Sequence, residues 1–318
     1  MWQKVGQYFS ARQIEGGMIF LTLSCLFWAL NYVVYKILVS ESNVAPATLV
    51  GWIFTLGALV MAVIGSFSIG FKAALFLPRR QIVPVLVQGF CGLGLTNLFI
   101  LLAEERTSAV NVTMLEALIP VFGLLGSRFL GYKLKKTQII GMILGLVGCM
   151  LVIQALDWRG IRLTALNTGD LLVALGALSW TVYLLWGQRT QKEVNTTLYT
   201  VWTMMGAGLG MWIYLLACGQ SMLFTPKLET VGLMSFIVLF PTVGAFFFWT
   251  KACVMLPLPL LNVTQYLTPL LAVVLAGVIL AEKIDFTQSV GMALIVGGIF
   301  LDPAIRRKIV EKFGRRKV

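Results

Sequence analysis

Histidine is absent from this sequence of 318 residues, and charged residues make up only 12% of it. The absence of histidine removes the commonest metal ligand and the commonest general base of enzymes. The five cysteines stand singly in apolar segments, so the sequence predicts neither a zinc site nor a disulfide framework. We interpret all five as small buried hydrophobic residues, and we expect neither a metal nor another cofactor.

Long hydrophobic runs are abundant. Hydrophobic residues make up 58% of the chain and the mean hydropathy is +0.89, whereas a soluble domain carries about twice this share of charged residues. Runs of this length cross a bilayer as helices, because lipid tolerates only helices and closed barrels. The sequence therefore predicts an all-α integral membrane protein with ten transmembrane helices. The predicted spans cover about 17–38, 46–66, 82–103, 108–129, 138–156, 170–189, 197–218, 232–252, 257–281 and 287–302.

The distribution of basic residues predicts the orientation of these spans. With the N-terminus in the cytoplasm, 19 of the 25 Lys and Arg residues fall on the cytoplasmic side. Cytoplasmic loops of membrane proteins carry such an excess, so both termini are predicted to be cytoplasmic. The net charge of +12 then forms a basic collar facing anionic lipid. We expect no nucleic-acid partner, because the charges are spread over separate membrane loops.

A set of motifs in the first half of the chain recurs in the second half. The stretch from Asn111 to Gly148 contains, in order, Asn-Val-Thr, Pro, Thr-Gln-x-x-Gly and a further Gly. The same four features recur in the same order between Asn262 and Gly298, at offsets of 151, 149, 150 and 150. Each unit holds five spans, an odd number, so the second unit enters the membrane upside down. The sequence thus predicts two inverted five-helix repeats, residues 1–160 and residues 161–318, the second with the basic cytoplasmic tail.

The order and spacing of these motifs resemble the drug/metabolite transporter superfamily, specifically its ten-helix group with two EamA-type repeats. The residues that carry the resemblance are Leu26-Phe27-Trp28-Ala29-Leu30-Asn31, Thr107-Ser108-Ala109, Leu118-Ile119-Pro120-Val121, Ser179-Trp180, Leu267-Thr268-Pro269 and Ala281-Glu282-Lys283. The resemblance implies a transporter of the cell (inner) membrane that exports small metabolites, often amino acids, through a central cavity lined by both halves. Trp28-Ala29 stands where many members have Trp-Gly, and Tyr132 where many have an acidic residue, so no particular substrate is transferred.

Aromatic and polar residues in the first spans of the two halves are candidates for lining such a cavity. In span one, Trp28, Asn31 and Tyr32 fall on one helical face, which suits an amphipathic solute. An aromatic belt at the membrane interface is the alternative. In span six, Trp180 and Tyr183 share a face, and Trp180 matches Trp28 at an offset of 152. Packing explains this second face as readily as binding does.

Spans four and nine supply the other candidates. Asn262, Gln265 and Tyr266 share one face of span nine, and buried amides need partners, so this face is predicted to line the cavity or to bind another helix. Glu116 lies about two turns inside span four, one turn from Thr113, which we also assign to the cavity. A charge near the bilayer centre costs roughly 3 kcal/mol. Glu116 is interpreted as a proton-coupling carboxyl or a counter-ion for a substrate ammonium, with a structural ion pair as the alternative.

These features predict a secondary transporter that works by alternating access, and not an enzyme. No nucleotide-binding motif is present, so no built-in ATPase drives transport. Pro120 and Pro269 hold matching positions and are predicted to be hinges. The Gly-x-x-x-Gly patterns at 141–145 and 206–210 predict close helix packing, within a monomer or across a weak homodimer.

The predicted partners are the bilayer, a small-molecule substrate and, for a coupled transporter, protons. The favoured substrate is an amino acid or a related amphipathic solute, and the resemblance favours export. The alternatives are a proton-coupled multidrug or other metabolite transporter, an importer and, more distantly, an integral-membrane enzyme.

Overall fold

The computed structural model describes residues 10–42, 45–104, 106–107, 112, 115–154, 156–157, 160–161, 167–223, 227–279 and 284–306. The helices of the first half are α1 (Ala11–Ser42), α2 (Pro46–Ile69), α3 (Phe71–Leu75), α4 (Arg79–Gly89), α5 (Leu95–Glu104), α6 (Ile119–Phe129) and α7 (Lys136–Val152). The helices of the second half are α8 (Thr168–Glu193), α9 (Thr196–Ala217), α10 (Leu228–Ile237), α11 (Ala245–Met255), α12 (Leu258–Thr264), α13 (Leu267–Ile279) and α14 (Phe286–Phe300). Between the halves, β1 (Leu156–Asp157) and β2 (Gly160–Ile161) form a short antiparallel pair.

Seven stretches of the described residues are long and apolar enough to cross a membrane as helices. These stretches are Arg12–Asn31, Pro46–Ile69, Arg79–Ala103, Thr168–Gln188, Thr196–Ala217, Leu228–Met255 and Leu258–Leu275. Three further apolar helices, α6, α7 and α14, are shorter. The prediction of a helical protein that crosses the membrane several times is therefore confirmed.

The first helix begins at Ala11, earlier than the predicted start of span one at residue 17. Ser10 and Gln13 explain the early start, since the Ser10 N–H donates to Gln13 Oε1 at 2.9 Å and the Gln13 N–H donates to Ser10 Oγ at 3.2 Å. Such reciprocal bonds satisfy N–H groups that the first turn of a helix leaves unpaired. The prediction followed the apolar run and so missed these polar first turns.

Two π-helical segments interrupt matching helices of the two halves. The segment π1 (Phe90–Gly94) joins α4 to α5, and π2 (Val238–Gly244) joins α10 to α11. Pro241 lies inside π2 and lacks the N–H that a regular helical hydrogen bond requires. Both segments lie inside spans that the hydrophobic pattern predicts as plain helices. Short π-segments are frequent at functional sites.

Glycines of the repeated motif bring α7 and α14 into backbone contact. A Cβ atom on Gly141 would lie 2.5 Å from the carbonyl oxygen of Gly298, and a Cβ atom on Gly148 would lie 2.6 Å from that of Gly291. The earlier residue of one helix meets the later residue of the other, so the two helices are antiparallel. Because Gly141 corresponds to Gly291 and Gly148 to Gly298 in the repeat, the two helices exchange the same contacts.

Helices of the two halves interleave throughout the described structure. The helix α2 packs on α9, α1 packs on α11 and α13, and α8 packs on α5 and α6. The predicted close-packing glycines serve these internal contacts, since Gly145 meets Tyr266 and Gly206 meets Leu86.

The cysteines divide into two groups. Cys25, Cys149 and Cys253 are buried, whereas Cys91 is partly exposed and Cys218 is exposed. Cys218 follows the last turn of α9, where the chain leaves the packed interior. The interpretation of all five cysteines as buried residues is therefore wrong for Cys218.

Candidate functional site

The helices expected in spans four and nine are both interrupted just before a proline. Gln265 and Tyr266 form a turn between α12 and α13, and Ala117 and Leu118 form the corresponding turn before α6. Both turns lie just before Pro120 and Pro269, the residues predicted to be hinges, and movement about them stays a prediction. Broken helices of this kind are sites of substrate and ion binding in transporters with inverted repeats.

Proline chemistry explains why both interruptions occur where they do. Pro120 and Pro269 lack the N–H groups that would bond to the carbonyl oxygens of Glu116 and Gln265, four residues earlier. The chain tightens instead, and the Thr268 N–H donates to the carbonyl oxygen of Gln265 at 3.0 Å. Both prolines then lie in the first turn of the new helix, where a missing N–H costs nothing.

The two interruptions are bound to each other. The Tyr266 hydroxyl donates to the carbonyl oxygen of Ala117 at 3.0 Å, and its ring packs against Gly145 of α7. Tyr266 and Ala117 correspond in the repeat, since each lies three residues before its proline. Corresponding residues of the two halves therefore meet at this point.

Three tryptophans form a cluster beside these turns. The ring of Trp28 lies 5.5 Å from that of Trp180 and 5.3 Å from that of Trp249, and Trp180 lies 5.5 Å from Trp249. Phe246 extends the cluster at 5.5 Å from Trp28. These spacings fall in the range of favourable aromatic pairs. Trp28 and Trp180 are again corresponding residues, so the first helix of each half contributes one ring to the cluster.

A chain of amide hydrogen bonds connects the tryptophan cluster to the broken helix. Trp180 Nε1 donates to Gln265 Oε1 at 3.0 Å, and Gln265 Nε2 donates to Asn262 Oδ1 at 3.4 Å. Asn262 Nδ2 donates to the carbonyl oxygen of Leu258 at 3.0 Å, and its side chain packs on Gly123 of α6. The sequence-predicted residues Trp28, Trp180, Gln265 and Asn262 are thus brought together.

Two polar atoms beside this chain have unused hydrogen-bonding capacity. Asn31 Oδ1 and Trp249 Nε1 are buried and have no hydrogen-bond partner among the described residues. Asn31 lies one turn after Trp28 on α1, and Trp249 belongs to the tryptophan cluster. One atom accepts and the other donates, so together they suit a small molecule that carries both kinds of polar group.

Glu116 immediately precedes the first turn. It corresponds to Gln265 in the repeat, so one turn carries an acid where the other carries an amide. The side chain of Tyr32 and the whole of Thr113 lie outside the described residues.

Tyr183 occupies a different environment from the other candidates. Its ring lies 5.4 Å from that of Trp180 and packs on Gly92 of π1. Its hydroxyl faces the hydroxyls of Tyr199, Thr203 and Thr250, in a buried polar cluster on the side of α8 that leads to Glu193. In this structure the Tyr183 ring packs against the Trp180 ring at the edge of the tryptophan cluster.

Sequence reasoning missed Trp249, Phe246 and both π-segments. The run of four aromatic residues from Phe246 to Trp249 was the available signal, but without a polar neighbour the run gives no indication of which side faces inward. Pro241 was the only local sign of a disturbed helix in the eighth span.

Comparison with known proteins identifies the family. The profile of the EamA-like transporter family matches residues 15–154 and again residues 167–301. Because these two matches cover most of the sequence, the chain belongs to the EamA-like transporter family. The expected relationship to the drug/metabolite transporter superfamily is thereby confirmed, and so is the assignment to the membrane.

Individual relatives agree with this assignment. The chain is 24% identical over 267 residues to the uncharacterized transporter YyaM of Bacillus subtilis, covering 83% of this chain and 86% of the relative. It is 24% identical over 290 residues to an uncharacterized transporter of Archaeoglobus fulgidus, covering 90% and 96%. It is 22% identical over 225 residues to the uncharacterized inner membrane transporter YedA of Escherichia coli, covering 70% and 72%.

A crystal structure described only as that of a protein has the same fold. It superimposes with a TM-score of 0.76 at 22% identity and covers 93% of this chain and 99% of its own. This likeness concerns the fold alone.

Proposed function

We propose that this protein is a secondary transporter of small amphipathic metabolites, with amino acids as the first candidates, and that it works by alternating access. In this proposal, residues 1–160 and 161–318 are two inverted five-helix repeats with both termini in the cytoplasm. The protein resides in the cell (inner) membrane, as the name of the Escherichia coli relative states for that protein, and it exports its substrate.

The packing of α7 and α14 supports the inverted arrangement. These helices end the two halves, they are antiparallel, and corresponding glycines exchange the same contacts. Two units with the same orientation would set their last helices parallel. In this proposal the seven long apolar stretches and the three shorter helices α6, α7 and α14 are the ten spans.

The observation that carries the proposal is the bond between the two interrupted helices. The Tyr266 hydroxyl reaches the Ala117 carbonyl, so corresponding turns of the two halves meet beside the tryptophan cluster. Trp249 Nε1, within the cluster, and Asn31 Oδ1, one turn after Trp28 on α1, offer unused polar capacity. A substrate between the halves would contact aromatic faces and a few oriented polar groups, as small-molecule sites generally do.

Glu116 gives this site an acidic character. A carboxyl beside an interrupted helix is suited to carry a proton, or to hold the ammonium of an amino acid. We include Tyr32 and Thr113 as further cavity residues because of their positions in the sequence, and Pro120 and Pro269 as the residues about which the halves move.

Flux of labelled amino acids into proteoliposomes tests the proposal, with Trp180→Phe as the diagnostic variant. This change retains an aromatic ring and removes the N–H that binds Gln265, so we expect KM to rise by about fivefold, the equivalent of one hydrogen bond. Trp186→Phe is the matched control, since Trp186 lies on the same helix and is 40% exposed on its outer surface. Equal effects of the two changes, or no saturable flux, would contradict the proposal.

Proton coupling is tested separately with Glu116→Gln. Flux should depend on a pH gradient in the wild-type protein and lose this dependence in the variant. A variant with full pH dependence would show that another group couples the proton.

A second candidate function is proton-coupled export of cationic drugs. The observation that favours it is the cluster of three tryptophans, because a tryptophan face binds organic cations through its π-electrons. Flux of a labelled aromatic quaternary ammonium, measured with and without unlabelled amino acids, distinguishes the two. Saturable flux of the cation that amino acids do not inhibit would favour the second candidate.

A further inference from the structure

An apolar cavity lies between α2 and α10 within the membrane-spanning part of the chain. Its volume is about 450 Å³, and its lining includes Trp52, Leu56, Val60, Val231, Val238 and Leu239. The polar groups at its wall are already bonded within the protein, since the Ser235 hydroxyl donates to the carbonyl oxygen of Val231 and Trp52 Nε1 donates to that of Met222. The cavity therefore offers apolar contact and no hydrogen bond to a guest.

The surface around Trp202, which corresponds to the cavity in the repeat, helps to explain why the cavity exists. Trp202 on α9 corresponds to Trp52 on α2 at an offset of 150. The indole N–H of Trp202 donates to the carbonyl oxygen of Leu75, which follows the end of α2, at 3.0 Å. The indole N–H of Trp52 donates to the carbonyl oxygen of Met222, which follows the end of α9, also at 3.0 Å. The two environments can therefore be compared residue by residue. Around Trp202, however, α9 is in close contact with α4 and π1.

Three glycines close the surface around Trp202. Gly206 and Gly210 of α9 pack against Leu86 and Phe90, and Gly89 packs against the backbone of Thr203. Glycine permits this approach because it has no side chain between the two backbones.

The surface around Trp52 carries larger residues at the same positions. Leu56, Val60 and Leu239 stand where the surface around Trp202 has Gly206, Gly210 and Gly89, each at an offset of 150. Branched side chains separate α2 from α10, whereas α2 stays in contact with π2, and the cavity is the space between α2 and α10. Three substitutions of glycine by a branched residue therefore distinguish the surface around Trp52 from the surface around Trp202.

The rim of the cavity faces the bilayer. Val231 is 45% exposed and Leu239 is 47% exposed, on helices that cross the membrane. The material at this surface is lipid hydrocarbon, and water or a polar solute would find no hydrogen-bond partner inside. We propose that the cavity binds an acyl chain of a surrounding lipid, seated between α2 and α10 and in contact with the first residues of π2. This inference depends on membrane insertion and stands apart from the proposed transport function.

Fluorescence quenching by brominated lipid tests the inference, with Trp52 as a native reporter. The protein is reconstituted into vesicles of phosphatidylcholine with or without bromine at the middle of its acyl chains. The emission contributed by Trp52 is the difference between the wild-type protein and Trp52→Phe. We expect a loss of this emission in brominated vesicles and little loss with acrylamide, a water-soluble quencher. Quenching by acrylamide alone would mean that the cavity holds water and would overturn the inference.

A pair of neighbouring substitutions tests the location without altering the reporter. Val60→Phe fills the cavity and should reduce the loss of emission in brominated vesicles. Leu59→Phe is the control, because Leu59 is 56% exposed to the surroundings and lies outside the cavity lining. Equal quenching in the two variants would overturn the inference, even if Trp52→Phe itself fails to fold.

Discussion

Removing the Tyr266 hydroxyl should destabilise the protein by a predictable amount. Tyr266→Phe deletes the donor that reaches the Ala117 carbonyl at 3.0 Å, and it retains the ring that packs on Gly145. Tyr266 is only 1% exposed, so water does not replace the lost donor. A hydrogen bond in a protein contributes about 0.5–1.5 kcal/mol, and one between membrane helices about 0.6 kcal/mol. We expect a loss of about 1 kcal/mol, or roughly a fivefold shift in the unfolding equilibrium.

Unfolding by SDS in mixed micelles, followed by tryptophan fluorescence, measures this loss. Tyr199→Phe is the matched control, since Tyr199 is as deeply buried and its hydroxyl, which lies beside that of Tyr183, makes no hydrogen bond of standard geometry in the described structure. Removing this hydroxyl should cost less than removing the well-bonded hydroxyl of Tyr266.

The comparison of the two tyrosines decides the outcome. Equal losses would mean that the effect comes from the deletion of any buried hydroxyl. A neutral Tyr266→Phe would refute the assignment of this bond as a link between the interrupted helices. Transport provides an independent check, because in the proposed mechanism the two halves move, and a link between them should alter the rate of flux as well as stability.

Three further predictions follow from the packing and the exposure of particular groups. Gly298→Ala should lower the yield of folded protein in gel filtration, because the new Cβ would lie 2.5 Å from the Gly141 carbonyl oxygen. Gly297→Ala is the control, since its Cβ would meet nothing within 4 Å, and equal yields of the two variants would contradict the contact. Asp302 follows the end of α14, and burial raises the pKa of its carboxyl group. The native state therefore binds the carboxyl proton more tightly than the unfolded chain does, and the protein should lose stability as pH rises above about 4. Asp302→Asn should remove this part of the pH dependence of the melting temperature, and an unchanged slope would refute the assignment. Cys218 should react with a maleimide in the native protein while the buried thiols stay protected, and an unreactive Cys218 would contradict its exposure.

The repeat in the sequence carried much of what was predictable about the site. Trp28 and Trp180 were selected as corresponding aromatic residues in an apolar span, and they lie in ring contact at 5.5 Å. Gln265 and Asn262 were selected because buried amides need partners, and they form a continuous chain with Trp180. In both cases a polar or large side chain lies among apolar residues, and the free energy of burying it depends strongly on whether it finds a partner. Whether these residues bind a substrate stays a prediction.

Other features depend on packing that the sequence does not record. Pro120 and Pro269 signal two lost hydrogen bonds, but the local sequence does not determine whether the helix bends or unwinds. Here it unwinds, and the Tyr266 bond to Ala117 binds one unwound turn to the other. The segment π2 follows α10, which is apolar on all sides, so the hydrophobic period gives no reference direction there.

The contact between α7 and α14 limits how the two halves of the protein can move. Backbone meets backbone at Gly141 and at Gly148, so sliding one helix along the other would drive main-chain atoms together. Gln138 Nε2 binds Asp302 Oδ2 at one end of the pair, and Gln288 Nε2 binds the Val152 carbonyl oxygen at the other. Translation along this pair would therefore carry a steric cost. In the proposed alternating access, the two halves would turn about the α7–α14 pair and not slide along it.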